Sequence, residues 1–266
     1  MPRQITAFSN PLVKQARALR DKKQRRREGL FLAEGLRILT EAREAGHLPR
    51  SLFFNGAERP HPLVQALVEQ TEASGGEAIE TNAEILSKLS GKDNPGTVIG
   101  IFGAFPLGLD RIDRSRANLW FVAQSLRDPG NLGTIMRTGD AVGAGGLILI
   151  DDCVDPFSVE AVRATMGALF TQSIAAAPWP DFLAWLRSGD GELIGTSLQA
   201  HQDYQEPRYC RPAFILVGNE AQGLPAEYEQ ACDTLVKIPM LGRADSLNAA
   251  VAAAVMAYEV INQWRR

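Results

Sequence analysis

Residues 119–150 read L-W-F-V-A-Q-S-L-R-D-P-G-N-L-G-T-I-M-R-T-G-D-A-V-G-A-G-G-L-I-L-I, and the fold class follows from them. Leu119–Ala123 and Leu147–Ile150 are short, continuous apolar runs rich in aliphatic residues, the pattern of strands buried on both faces of a parallel sheet. Between them, Leu132–Val142 carries helical spacing. Strand, helix and strand in this order form a right-handed crossover unit. The pattern continues downstream: Leu193–Gly195, Phe214–Val217 and Leu235–Ile238 read as further strands. Helices are expected at Val159–Leu169, Pro180–Leu186, Pro225–Ala231 and Leu247–Trp264. This predicts an α/β domain with a mostly parallel sheet, which binds its ligands beyond the carboxyl ends of its strands.

Upstream, Asn10 before Pro11 marks a helix start, because Asn caps free N–H groups and Pro suits the first helical position. Gly29 is expected to end that helix. Further helices are expected over Leu36–Ala45, Pro62–Glu72 and Ala83–Leu89, and strands over Ser51–Phe54 and Thr97–Phe102. The turn-rich stretch P-L-G-L-D-R-I-D-R-S-R (106–116) then breaks the pattern. These signals divide the chain into a domain at 1–105, a linker at 106–117 and a second domain at 118–266.

The chain has 266 residues, 45% hydrophobic and 22% charged, a globular composition. Its longest apolar run, Ala249–Ala257, is far short of the roughly 20 residues that span a bilayer. The opening M-P-R-Q-I-T-A-F-S-N-P-L-V-K has no apolar core of the kind a signal peptide needs. Three scattered cysteines (Cys153, Cys210, Cys232) form no disulfide framework. The chain reads as cytoplasmic. Its net charge of −3 hides an asymmetry: residues 1–29 hold nine Lys/Arg and two acids, or +7, leaving −10 for the rest. Clustered cations on an acidic body suit a phosphate backbone, or else form a solvated helix face.

Three loops follow predicted strands. In D-P-G-N-L-G-T-I-M-R (128–137), Asn131 is expected to cap the next helix, and Gly133 shares a helix face with Arg137. In G-N-E-A-Q-G-L-P (218–225), Gly218 and Gly223 permit tight turns around the acid Glu220. In P-M-L-G-R-A-D-S-L-N (239–248), Ser246 is expected to cap the last helix, with Asn248 in its first turn. Singly, each has a bland account: a cap, an Arg137–Asp140 pair, a charge in a turn. Jointly they place Asn131, Arg137, Glu220, Ser246 and Asn248 on one edge of one sheet.

Other chemistries find no support. Gly143-Ala144-Gly145-Gly146 runs into a strand and lacks the third glycine of a dinucleotide fingerprint. There is no Walker-type loop and no G-x-S-x-G elbow. His47, His61 and His201 are isolated and the cysteines lack metal-ligand spacing, so no metal is expected.

The three loops resemble, in order and spacing, the motifs of the SpoU (TrmH-type) RNA ribose methyltransferases of the SPOUT superfamily. N-L-G-T-I-M-R (131–137) is similar to the first motif, L-V-G-N-E-A-Q-G-L (216–224) to the second, and I-P-M-L-G-R-A-D-S-L-N (238–248) to the third. D-P-F-S-V-E-A-V-R-A-T-M-G-A (155–168) resembles the segment between the first two, and F-L-A-E-G-L-R-I-L-T-E-A (31–42) the small ribosomal-protein-like RNA-binding domain of many members. The resemblance implies a mostly parallel SPOUT sheet with a C-terminal trefoil knot, a homodimer, and S-adenosylmethionine-dependent methylation of a ribose 2′-hydroxyl. Carried over by position, Asn131, Arg137, Glu220, Ser246 and Asn248 would form the reaction site. Gly218, Ile238, Met240, Gly242 and Leu247 would hold the cofactor. Ala249-Ala250 departs from the branched residue and Ser or Ala of many relatives, a change in packing.

On this reading the basic run (Lys14, Arg17, Lys22, Lys23, Arg25, Arg26, Arg27) contacts RNA. A ribosomal-protein-like domain points to ribosomal RNA of the 23S type. The same chemistry on transfer RNA, and a non-catalytic RNA-binding or ribosome-assembly protein, stay open. So do the role of Arg137, as base or as positioning group, and a housekeeping against an antibiotic-resistance purpose.

Overall fold

The computed structural model describes residues 2–58 and 61–266 in two compact units. One runs to Phe105 and includes Asp155–Thr171; the other comprises Pro106–Val154 and Gln172–Arg266.

The first unit has a mixed sheet of β1 (Arg3–Gln4), β2 (Leu30–Glu34), β3 (Ser51–Asn55), β4 (Glu77–Thr81) and β5 (Val98–Gly103), in the order β1-β4-β3-β5-β2. β1, β4 and β3 are parallel, and β5 is antiparallel to β3 and β2. Its helices are α1 (Pro11–Ala18), α2 (Lys22–Glu28), α3 (Leu36–Glu44), α4 (Pro62–Ala73), α5 (Ala83–Ser90) and α7 (Val159–Ala164). The core gathers Leu19, Leu32, Phe53, Ile79 and Ile99. Asn10 caps α1 by accepting from the Leu12 amide. The single helix expected from Asn10 to Gly29 is two helices. Asp21 accepts from the amides of Lys23 and Gln24, which starts α2 afresh, and Gly29 closes it in the left-handed region at φ 62°.

The second unit is built on seven parallel strands: β6 (Leu119–Gln124), β7 (Gly146–Ile150), β8 (Ser173–Ala177), β9 (Glu192–Thr196), β10 (Gln202–Asp203), β11 (Ala213–Val217) and β12 (Thr234–Lys237). Their order is β10-β12-β9-β11-β6-β7-β8. β6, β7 and β11 are buried at every residue, as their unbroken apolar runs require. One sheet face packs against α6 (Pro129–Val142) and α10 (Ala249–Arg265). The other packs against Trp179, Phe182 and Leu186 of α8 (Trp179–Arg187) and Tyr228 of α9 (Ala226–Ala231). Because every strand is parallel, the segments after β6, β7, β9, β11 and β12 leave one edge of the sheet.

Two features differ from the expected boundaries. Residues 106–117, read as a linker, belong to the second unit: Ile112 joins its core, the Leu107 carbonyl accepts from the Ala176 amide, and the Arg114 guanidinium lies 4.0 Å over the Trp185 ring. Asp155–Thr171, read as part of the second domain, packs with the first. Phe157 lies 5.1 Å from Phe31 and Phe170 lies 4.9 Å from Phe102, ring centre to ring centre. Burial of those rings, together with Arg25–Asp155 and Arg163–Glu34 ion pairs, outweighs continuity in sequence. β1, β2, β4, β8 and β10 lie outside the expected strands; β1 and β10 are two residues each, and β8 reads S-I-A-A-A, with only one strongly β-forming side chain.

Candidate active site

α6 begins at Asp128, not at Asn131. The Asp128 carboxylate accepts from the Asn131 amide at 2.7 Å, and Pro129 occupies the first helical position, where its missing N–H costs nothing. That leaves the Asn131 side chain, buried inside the first turn, for another task. Its Nδ2 donates to Glu220 Oε1 at 3.0 Å and its Oδ1 accepts from Asn248 Nδ2 at 2.8 Å. Asn248, not Ser246, caps α10: its Oδ1 accepts from the amides of Ala250 and Val251. Glu220, acceptor only, and the two amides at α10 fix which way both Asn side chains face.

The three sequence motifs are therefore joined by one run of hydrogen bonds, from Glu220 through Asn131 to Asn248. Glu220 also receives the amides of Arg127 and Asp128, at 3.4 and 3.3 Å. Burial raises its pKa, but the bonds from Asn131 and those amides outweigh burial and hold the carboxyl below its ordinary value. It is thus an anchor on which three donors converge, suited to orientation. Arg137 is exposed on α6, and Ser246 is exposed two residues before the α10 cap.

Several residues that build this edge have no counterpart among those expected from sequence. Asn219 donates to the Ser125 carbonyl at 2.9 Å and accepts from the amides of Ala221 and Gln222. Tyr228 donates to Asp151 Oδ2 at 2.7 Å, and its ring stacks 3.9 Å from that of Trp179. Ser125 and Asp151, the residues that follow β6 and β7, adopt left-handed φ values of 48° and 62°. The 219–228 segment is thus fastened to both strained turns. Asp before Pro was the available signal for the α6 cap. No local signal marks Tyr228, whose partners Asp151 and Trp179 are distant in sequence, nor the bond from Asn219 to the Ser125 carbonyl.

The expected cofactor residues surround a second feature of the same edge. Gly218 must be glycine, since a Cβ there would lie 2.4 Å from the Gly223 carbonyl carbon. Ile238, Met240, Gly242 and Leu247 lie on the irregular segment after β12. Among the described residues, none of the backbone–backbone hydrogen bonds involves 239–247. Leu241 is 97% exposed, Leu247 37%, and Leu198 beyond β9 56%. Open backbone donors and acceptors beside exposed apolar side chains fit a ligand with a flat apolar base and a polar sugar. Among the described residues, no group of three or more His, Cys, Asp or Glu side chains could hold a metal, and no helix is long and apolar enough to cross a membrane.

Of the basic run, Lys14, Arg17, Lys22, Lys23, Arg26 and Arg27 are exposed. Arg25 departs from its expected RNA contact. It is 6% exposed, donates to Asp155 Oδ2 at 2.7 and 3.0 Å, and donates to the carbonyls of Leu19 and Arg20. It is a structural residue that ties the end of α1, α2 and Asp155 together.

Residues 118–258 match the SpoU rRNA Methylase family and residues 10–100 match the MRM3-like substrate binding domain. An AdoMet-bound rRNA methyltransferase from Sinorhizobium meliloti superposes with a TM-score of 0.90 at 39% identity, over 98% of this chain and 97% of that one. An uncharacterized tRNA/rRNA methyltransferase of Synechocystis is 34% identical over 97% of this chain and 93% of its own length. The 23S rRNA (uridine(2479)-2′-O)-methyltransferase of Streptomyces viridochromogenes is 31% identical over 98% and 92%. The chain belongs to the SpoU rRNA methylase family.

Proposed function

We propose that this protein transfers a methyl group from S-adenosylmethionine to a ribose 2′-hydroxyl of ribosomal RNA, of the 23S type. The observation that carries the reading is the Glu220–Asn131–Asn248 run, which joins the family's three motifs on the ligand-binding edge of the sheet. The relatives support the substrate class: the Sinorhizobium structure is of an AdoMet-bound rRNA methyltransferase, and the Streptomyces relative methylates a 23S ribose.

The cofactor supplies a methyl group already activated on a sulfonium. When bound, it would serve as the electrophile for the ribose 2′-oxygen, whose proton would pass to water at this exposed edge. The chain's contribution is in-line positioning, which alone accounts for several powers of ten in rate. Gly218, Ile238, Met240, Gly242 and Leu247 hold the adenosine through open backbone groups and apolar contact. Asn131 and Asn248, oriented by Glu220, hold the sugar, and Ser246 supplies a hydroxyl beside them. A guanidinium in water is a cation at any working pH. Arg137, exposed on α6, accordingly holds the ribose and its phosphate.

Exposed Lys14, Arg17, Lys22, Lys23, Arg26 and Arg27 supply sequence-independent RNA contacts. The working form is a homodimer, which the exposed Val251 and Tyr258 of α10 support as surface an interface would cover. The deciding experiment is transfer of labelled methyl from S-adenosylmethionine to ribosomal RNA and, separately, to transfer RNA, with nuclease mapping of the product. Label at a 2′-oxygen of ribosomal RNA is expected. Label in transfer RNA alone would move the substrate, and neither label nor cofactor binding would leave a non-catalytic RNA-binding protein.

A further inference from the structure

We propose that Arg127 takes up a phosphodiester group of the RNA at this site, and that Asp152 holds its guanidinium until RNA arrives. The inference rests on the methyltransferase reading above and adds a binding residue to it.

The edge of the sheet around Glu220 is rich in carboxylates: Asp128, Asp151, Asp152 and Glu220 itself all lie on segments that follow β6, β7 or β11. A polyanion brought to such an edge is repelled unless cations stand there. Arg127 is the one basic residue in the two segments 125–128 and 151–154. Its amide donates to Glu220 Oε2, so the residue that helps anchor the reaction site also carries the cation. The guanidinium points away from the core, with its side chain 60% exposed, and its Nη1 donates to Asp152 Oδ2 at 2.6 Å. Asp152 is more exposed still, at 75%.

The backbone beneath this pair is fixed. The Leu126 carbonyl accepts from the Val154 amide at 2.8 Å, and the Ile150 carbonyl accepts from the Ser125 amide at 3.0 Å. Arg127 and Asp152 therefore stand on two turns joined by backbone bonds that flank Asp152 and lie just before Arg127. Fixed stems with exposed heads give a cation at a defined place but with a loosely held partner. An exposed arginine–carboxylate pair is weak in water, whereas a guanidinium matches a phosphate with two parallel bonds. Every internal ribose bears a phosphodiester on the 3′-oxygen, one carbon from the 2′-hydroxyl. A ribose held at Asn131 and Asn248 thus brings a phosphate to the same edge. Exchange of the Asp152 carboxylate for that phosphate keeps Arg127 paired and gives the exposed Asp152 carboxylate back to water.

This makes predictions of opposite sign for the two partners. The test uses the full chain, a labelled 23S ribosomal RNA transcript, and R127A, R127K and D152N variants, read by RNA affinity across salt concentrations and by methyl transfer. R127A should raise KM for RNA about tenfold, with kcat nearly unchanged, and lower the salt slope of RNA binding by about one. R127K should restore the slope but only part of the affinity, because Lys lacks the second bond. D152N should tighten RNA binding about two- to threefold, since the competing carboxylate is gone. Unchanged cofactor affinity in each variant shows an intact second unit. Unaltered RNA affinity and salt slope in R127A would overturn the proposal, as would weakening in D152N, which would make the pair structural. If the native chain transfers no methyl group to any RNA, the functional reading fails by itself, and the direct binding series still decides the role of Arg127.

Discussion

Asn248 Nδ2 lies 2.8 Å from Asn131 Oδ1, although 117 positions separate the two residues in the chain. Each Asn uses both ends of its amide. Asn131 gives to Glu220 and accepts from Asn248, while Asn248 gives to Asn131 and accepts from the first amides of α10. A side chain so committed has one orientation, and that is the property a positioning site needs.

Replacing Asn248 separates its two duties. N248A loses the α10 cap and the bond to Asn131, and should cost about 1 kcal/mol of stability besides activity. N248D keeps the acceptor that caps α10 but sets an oxygen against Asn131 Oδ1. It should lower the unfolding midpoint less than N248A does, while methyl transfer falls about 100-fold, the scale expected of a misplaced reacting group. Thermal unfolding beside steady-state kinetics distinguishes the two.

E220Q tests the anchor. An amide in place of the carboxylate puts an N–H₂ group towards donors that now meet a carboxylate, so the Arg127–Asn131 turn must shift. Transfer should fall at least tenfold, in kcat more than in KM for the cofactor. Equal losses in both would place Glu220 in the cofactor site instead.

Arg25 predicts stability, not RNA affinity. Truncation to Ala strands the Asp155 carboxylate, which is 12% exposed in the pair, and opens the carbonyls of Leu19 and Arg20. Breaking a buried pair from one side costs about 3–5 kcal/mol, to be read by chemical denaturation. Charge removal at Lys22, Lys23, Arg26 and Arg27 should instead leave unfolding unchanged and reduce the salt slope of RNA binding by about three to four.

The first unit should also be acid-sensitive through Glu34. Burial raises its pKa, but bonds from the Gly96 amide, Ser90 and Arg163 outweigh burial and hold it below the ordinary value. A carboxylate depressed on folding contributes stability above its unfolded pKa, about 4.3, and loses it as pH falls through the folded value. Unfolding followed between pH 7 and pH 3 should show this loss, and E34Q should flatten that part of the profile while lowering stability at pH 7.

Much of this was legible in the chain itself. Unbroken apolar runs at 119–123, 147–150 and 214–217 announced a parallel sheet, because only strands covered on both faces bury every residue. The ordered motifs placed Asn131, Glu220 and Asn248 on one edge, and Pro11 and Gly29 marked helix ends by local backbone rules. The caps went to the wrong neighbours by two or three residues, Asp128 for Asn131 and Asn248 for Ser246. Several capping residues stand together in each loop, and local preference does not choose among them.

What the tertiary structure decided are the matters that depend on distant partners. A basic residue at position 25 reads as surface, yet Asp155, 130 positions away, makes it part of the interior. Asp155–Thr171 follows β7 in the chain, yet packs with the first unit because Phe31 and Phe102 offer Phe157 and Phe170 an apolar place. Residue type and spacing set which backbone states are available, and those act over a few positions. Burial and hydrogen-bond satisfaction act between any groups that meet in space, so the partner of a side chain is settled only when the whole chain has folded.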